Sequence, residues 1–242
     1  MLLLFLIATA LSLLSSPVAA ASITDELPVS KITGDEKERI LRNISFRKSE
    51  TIPNGKTITS FDVSEQWGLL LVSDEGYLFH MDFDGSIISV YQFNNNAAGS
   101  VGVSWDASDI CLFFTKGDII FKTDYSGNEK EVFRLDYLDY HTQKKWNALA
   151  FREEKTVETG KFTLRKGAFL LDMYEHGKLV FVDSTTSCEK TVYDVTTATT
   201  AKTLTSIFIH AGFIVLTIIV VKDYRRNHRA ENSSAKDGTR DA

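Results

Sequence analysis

Ile58-Thr59-Ser60-Phe61-Asp62-Val63 leads through Gly68-Leu69-Leu70-Leu71-Val72 and Gly76-Tyr77-Leu78-Phe79-His80-Met81-Asp82 to the turn Phe83-Asp84-Gly85 and an apolar run over 87–93. The same order returns as Val101-Gly102-Val103-Ser104-Trp105-Asp106, Ile110-Cys111-Leu112-Phe113-Phe114, Gly117-Asp118-Ile119-Ile120-Phe121-Lys122-Thr123-Asp124, the turn Tyr125-Ser126-Gly127, and 131–135. Phe61-Asp62 falls on Trp105-Asp106 at a shift of 44, and Gly85 on Gly127 at a shift of 42. Short runs rich in Phe, Tyr, Val, Ile and Thr, parted by Gly, Asp, Asn and Ser, read as strands, and no long stretch keeps a helical period. A third, degenerate copy runs from Phe169-Leu170-Leu171-Asp172 through Lys178-Leu179-Val180-Phe181-Val182-Asp183 to Thr191-Val192-Tyr193-Asp194-Val195.

Four short strands every ~40–45 residues are the signature of propeller blades, and a closed ring needs four or more of them. The predicted fold class is therefore all-β: an incomplete β-propeller-like repeat domain of about three degenerate four-stranded blades, followed by a single transmembrane α-helix. The copies stack as an open array, or the insert between the second and third adds strands, or two chains complete one another. Within the insert, 148–157 and 161–166 flank Glu158-Thr159-Gly160 with hairpin spacing. The charged stretch 35–44 is the one helix candidate, and 44–46 with 57–59 around Pro53-Asn54-Gly55 reads as a hairpin. Open end faces invite aggregation, so 22–57 is expected to cover one end and 137–166 the other, with ring completion between chains as the alternative.

Both ends of the chain are apolar. Residues 1–14 pass through Ser15, Ser16 and Pro17 into Val18-Ala19-Ala20-Ala21. The apolar stretch, about 13 residues, fits a signal-peptide core and is short for a bilayer span. Val18/Ala20 or Ala19/Ala21 gives the small-x-small cleavage pattern, so the mature chain begins near Ala21 or Ser22. No Lys or Arg precedes the run, which keeps an uncleaved anchor open. The second run, from Leu204 to Val221, is about 27 Å long as a helix, enough to cross the hydrocarbon core. Lys202 stands alone before it, whereas Lys222, Arg225, Arg226 and Arg229 follow, which puts the tail in the cytoplasm. The expected organisation is a signal peptide (1–21), an exported β-domain (22–202), a membrane helix (203–221) and a cytoplasmic tail (222–242) too polar to fold alone. The protein is thus expected in the cell membrane, single-pass, with its N-terminal domain outside. His210 is the ionisable residue inside the span and is assigned a structural or interfacial role. Six of the 27 Lys and Arg and four of the 32 Asp and Glu lie in the tail, leaving a mildly acidic exported part that gives no reason to expect nucleic acid.

The Phe61-Asp62-Val63-Ser64 string, the Asp-x-x-Gly turns, and the Leu179-Val180-Phe181-Val182-Asp183 and Thr191-Val192-Tyr193-Asp194-Val195 strings ahead of a membrane helix resemble small membrane-anchored propeller-repeat proteins of anaerobic Gram-positive bacteria. The resemblance covers roughly 57–221. It implies an exported β-domain on a C-terminal anchor and carries nothing about chemistry.

Signals for chemistry are few. Asp82-x-Asp84-Gly85 opens like a calcium loop, but Ser86-Ile87-Ile88 returns at once to strand, so it reads as a tight turn. His80, His141 and His176 stand apart and lack the paired spacing of a zinc site. There is no nucleophile elbow, phosphate loop or dinucleotide fingerprint. No catalytic residue, cofactor or metal is therefore assigned. Trp105 reads as core, while Trp67 and Trp146, which fall by turns, are the candidate partner surface. Cys111 and Cys188 stand outside the cytoplasm, where they form a disulfide or remain two unpaired thiols. Asn43-Ile44-Ser45 is a glycosylation sequon, which matters only in a eukaryotic host. Two functions follow as expectations. The first is a membrane-tethered, non-enzymatic binding, sensing or assembly module whose partners are the bilayer and an extracytoplasmic protein or envelope polymer, with self-association left open. The alternative is an extracytoplasmic hydrolase of an envelope polymer, with Asp62, Asp106 and Asp82 gathered in one pocket.

Overall fold

The computed structural model describes residues 22–73, 75–94, 99–128, 130–137, 139–166 and 176–237. The expected leader (1–21) and Phe169-Leu170-Leu171-Asp172 lie outside the described residues. In chain order the elements are α1 (Ile23–Glu26), β1 (Val29–Ile32), α2 (Gly34–Ile44), β2 (Arg47–Lys48), β3 (Ile58–Ser64), β4 (Gly68–Ser73), β5 (Tyr77–Met81), β6 (Ile87–Gln92), β7 (Val101–Asp106), β8 (Asp109–Phe114), β9 (Ile119–Asp124), β10 (Lys130–Leu135), α3 (Tyr140–Ala150), β11 (Glu154–Val157), β12 (Gly160–Arg165), β13 (Lys178–Asp183), β14 (Glu189–Asp194) and α4 (Thr196–Asp237).

The strands form three antiparallel sheets. Sheet 1 is β3-β4-β5-β6 with β2 on the outer edge of β6; sheet 2 is β7-β8-β9-β10 with β1 on the outer edge of β10; sheet 3 is β11-β12-β13-β14. Side chains alternate across a strand, and the middle strands are apolar on both faces because both faces are covered. Leu69 and Leu71 of β4 join Phe61, Phe79, Phe162 and Leu179 in the core between sheets 1 and 3. Leu70 and Val72 join Val103, Leu112 and Phe121 between sheets 1 and 2. On the far side of sheet 2, Cys111 and Phe113 meet Ile23 and Leu27 of the N-terminal segment and Trp146 and Ala150 of α3. The body is thus a stack of sheet 3, sheet 1, sheet 2 and a helical layer.

The turns before β6 and β10 are built alike. Gly85 N–H donates to Asp82 O (3.2 Å) and Gly127 N–H to Asp124 O (3.0 Å), while the Asp82 and Asp124 carboxylates accept from Ser86 N and Asn128 N, each at 2.8 Å. Both glycines have positive φ, +97° and +79°, where a Cβ is strained. A Cβ on Gly85 would lie 2.7 Å from Val192 O of β14, and one on Gly127 2.8 Å from the Tyr91 ring of β6. Each turn therefore rests on the outermost core strand of the neighbouring sheet.

Several expectations are corrected. The hairpin around Pro53-Asn54-Gly55 does not form: β2 pairs with β6 and β3 with β4, because Phe46 is drawn into the core between sheets 1 and 2. The stretch 148–150 closes α3, and the hairpin partner of β12 begins at Glu154. The insert does add strands, as one of the expected arrangements had it: β11 and β12 are the first two strands of sheet 3. The two expected covers do not take opposite ends: α1 and α3 cover the same face of sheet 2, while α2 sends Ile40, Leu41 and Ile44 into the seam between sheets 1 and 2. Finally, α4 continues to Asp237 through the tail that looked unable to fold alone. Extending a helix already nucleated by an apolar span avoids the nucleation cost that defeats an isolated short segment. Within α4, Leu204–Lys222 is long and apolar enough to cross a membrane, and none of it is buried against the sheets.

Candidate functional site

The polar residues of β3 bind the three sheets together. As the edge strand of sheet 2, β7 has backbone N–H groups without a strand partner. Ser60 Oγ accepts from Val103 N (3.0 Å) and donates to Ala150 O (2.5 Å). Asp62 Oδ2 accepts from Trp105 N (2.8 Å) and from Ser104 Oγ (3.0 Å). Its other oxygen meets Arg152 Nη1 (2.9 Å) and Lys155 Nζ (2.7 Å). The Asp62 side chain is 1% exposed, against 17% and 29% for the two cations. Here the first strands of all three sheets converge on one carboxylate.

Asp106 repeats the arrangement one sheet on. It accepts from Ser22 Oγ and Ile23 N, each at 3.1 Å, so Ser22-Ile23 stands to Asp106 as Ser104-Trp105 stands to Asp62. Its cation is Lys122 at 2.6 Å, shared with Asp109 at 3.1 Å. Burial opposes the Lys122 charge, but the hydrogen bonds it donates to Asp106 and Asp109 outweigh that and lift the ammonium well above its ordinary range. Asp82 serves its own turn. Asp62, Asp106 and Asp82 thus have separate sets of partners and do not gather as the hydrolase reading requires.

The aromatic residues sort differently from the sequence reading. Trp146 is 4% exposed and meets Phe113 edge-on at 5.1 Å, which removes it from the candidate partner surface. It lies on a helix, not by a turn, with Thr142 and Ala150 one turn either side. The signal that could have revealed α3 is its cap, where Asp139 Oδ1 accepts from Thr142 N at 2.7 Å. Trp67 is half-buried and stacks on Tyr125 at 5.9 Å with 17° between the planes. Tyr125 is 51% exposed, and its backbone is held by the Tyr91 hydroxyl, which donates to Tyr125 O at 2.8 Å. Below the pair, His80 Nε2 donates to Trp67 O at 2.7 Å, and Trp105 Nε1 donates to Gly68 O at 3.0 Å. His80 meets the Trp105 ring edge-on at 5.4 Å. Phe83, in the turn matching that of Tyr125, is 37% exposed and lies 6.0 Å from Phe162.

Strand direction groups these residues. The β3–β4 and β5–β6 turns of sheet 1 and the corresponding turns of sheets 2 and 3 share one end of the sheets, which carries Trp67, Phe83, Tyr125 and Cys188. Each final strand runs away from that end, so β14 delivers the chain to α4 at the opposite end. The remaining named residues have structural places. Cys111 is 1% exposed in β8 and Cys188 is exposed in the β13–β14 turn; both are free thiols. Burial pushes the Cys111 thiol well up. His176 bridges Ile58 through its backbone at 2.8 Å in both directions, and burial lowers its imidazole. His210 Nδ1 donates to Ser206 O at 2.7 Å, satisfied within its own helix. Among the described residues no group of three or more His, Cys, Asp or Glu is placed to hold a metal ion. No family model, curated protein or solved structure matches the chain.

Proposed function

We propose that the chain is a membrane-tethered, extracytoplasmic binding, sensing or assembly module, its three sheets forming three blades of an incomplete propeller. Its partner surface is the end that carries Trp67, Phe83 and Tyr125. The observation that carries this reading is the opposition of two ends: the anchoring helix leaves from one, and the stacked, half-open Trp67–Tyr125 pair occupies the other. Aromatic side chains with one face free are the residues that most often anchor a partner. The basic residues after the span orient the tail to the cytoplasm and the sheets to the outside. The buried carboxylates that the hydrolase alternative requires accept hydrogen bonds from neighbouring segments instead.

A photo-crosslinking residue placed at position 125, and separately at 116 in the β8–β9 turn of the opposite end, tests the reading in intact cells. A discrete adduct from position 125 that is lost on Trp67→Ala supports it. Equal crosslinking from both positions, or none from 125, refutes it.

A further inference from the structure

We infer that hydrolysis of the Ala21–Ser22 bond creates an α-ammonium group that docks on Asp106 and completes a buried ion cluster otherwise short of one cation. The inference rests on the export reading above.

Three observations carry it. The first is a charge imbalance. Asp106 and Asp109 share the single ammonium of Lys122, at 2.6 and 3.1 Å. Asp109 is 33% exposed and keeps part of its hydration, but the Asp106 side chain is only 3% exposed, so water does little for the charge on that carboxylate. The second is the contrast with Asp62, the residue in the matching place on sheet 1. That carboxylate has the same Ser-hydroxyl and backbone N–H donors, yet two cations of its own, Arg152 and Lys155. Among the described residues no second cation is paired with Asp106, and the donors come from Ser22 and Ile23. The third is position. Ser22 Oγ touches Asp106, and the nitrogen that cleavage frees is bonded to the same Cα. Ile23 and Leu27, each 3% exposed, pin the segment that follows in the core beneath sheet 2, so the new terminus has no slack with which to wander.

The covalent step is ordinary amide hydrolysis by an export-linked endopeptidase. Water adds across the Ala21–Ser22 bond, leaving a carboxylate on Ala21 of the leader and an amine on Ser22 that takes up a proton. The Ala19/Ala21 pair supplies the small-x-small pattern for that bond. Among the described residues the other charged or titratable groups that interact in this cluster are Asp109 and the Cys111 thiol of β8, Lys122 of β9 and Glu131 of β10, and α1, which follows Ser22, carries Asp25 and Glu26. Glu131 is already paired with Lys31.

The full chain, produced in an exporting bacterial host and purified in detergent, tests the inference. Mass spectrometry reads the N-terminus, and competitive acetylation across a pH series reads the basicity of its amine. The expected result is a chain that starts at Ser22 with an α-amino pKa at least one unit above the ordinary value of about 7.7–8.0. Asp106→Asn should return that pKa to the ordinary range. Inserting one Gly between Ala21 and Ser22, which keeps the cleavage pattern and displaces the amine by about 3.8 Å, should do the same without touching the buried cluster. A chain starting at Ser22 with an ordinary amine overturns the docking and leaves the export reading intact. A start at any other residue overturns the inference, and a retained leader overturns both.

Discussion

Replacing Asp62 by Ala tests the claim that one carboxylate holds three sheets together. The substitution leaves Trp105 N–H, buried on the free edge of β7, without an acceptor, and an unsatisfied buried donor costs about 1–3 kcal/mol. It also strips Arg152 and Lys155 of their counter-ion. A wholly buried pair broken in this way costs about 3–5 kcal/mol, but the two cations are 17% and 29% exposed and regain part of their hydration. The donor term and a discounted charge term together give about 3–5 kcal/mol of destabilisation. Asp62→Asn keeps an acceptor for Trp105 N while removing the charge, so it should lose about half as much. Equilibrium urea unfolding, followed by Trp fluorescence, measures both variants. A loss below about 1 kcal/mol for Asp62→Ala would refute the reasoning, because the sheets would then be held by apolar packing alone. Equal losses for Ala and Asn would show that charge, not the cap on β7, is what matters.

Gly85→Val and Gly127→Val should each destabilise the body by about 1 kcal/mol or more, read by thermal unfolding, with Gly85 the worse because its Cβ meets the backbone oxygen of Val192 rather than a ring edge. A neutral Gly85→Val would show that the turn does not rest on β14. Maleimide should label exposed Cys188 within the native protein and reach Cys111 only on unfolding, since burial keeps that thiol protonated; mass spectrometry of the alkylated peptides decides. Burial lowers the His176 imidazole in the folded state, so its contribution is present above the unfolded value of about 6.5 and is lost as pH falls through it. His176→Gln should flatten that part of the stability profile, and an unchanged acid slope would refute the assignment.

The two central sheets were legible because their strands are apolar on both faces and closed by Asp-x-x-Gly turns, which leaves few other readings for Gly68-Leu69-Leu70-Leu71-Val72 or Ile110-Cys111-Leu112-Phe113-Phe114. Sheet 3 was legible in two pieces, a hairpin in the insert and the degenerate third copy, but not as one sheet, and the start of its first strand was misplaced. That strand, Glu154-Lys155-Thr156-Val157, is mostly polar at a stack end, so no apolar run marks where it begins and the preceding apolar residues of α3 read as part of it. Helix α3 escaped because its buried stripe is just Thr142, Trp146 and Ala150, too narrow to impose a helical period. Asp62 and Asp106 could be aligned from the sequence, but not their roles. Arg152 and Lys155 stand about 90 residues from Asp62 in the chain and meet it only through the packing of sheets. Of the candidate surface, Trp67 was legible from its turn, while its partner Tyr125 looked like a turn residue only.

A single residue, Val195, separates β14 from α4, and its N–H is tied to Gly177 O at 2.8 Å. On the membrane-tethered reading, the sheets therefore stand on a helical post joined through one hydrogen-bonded residue, with no long linker between them. A six-residue strand is about 20 Å long, and the helical turns between Thr196 and Leu204 add at most about 13 Å, so the Trp67–Tyr125 end stands no more than about 35 Å above the start of the span. On the proposed membrane-tethered reading, a partner gripped by that end meets it at that height above the bilayer. A longer reach would require extending the post, and inserting whole helical turns before Leu204 would raise that ceiling by about 5.4 Å each.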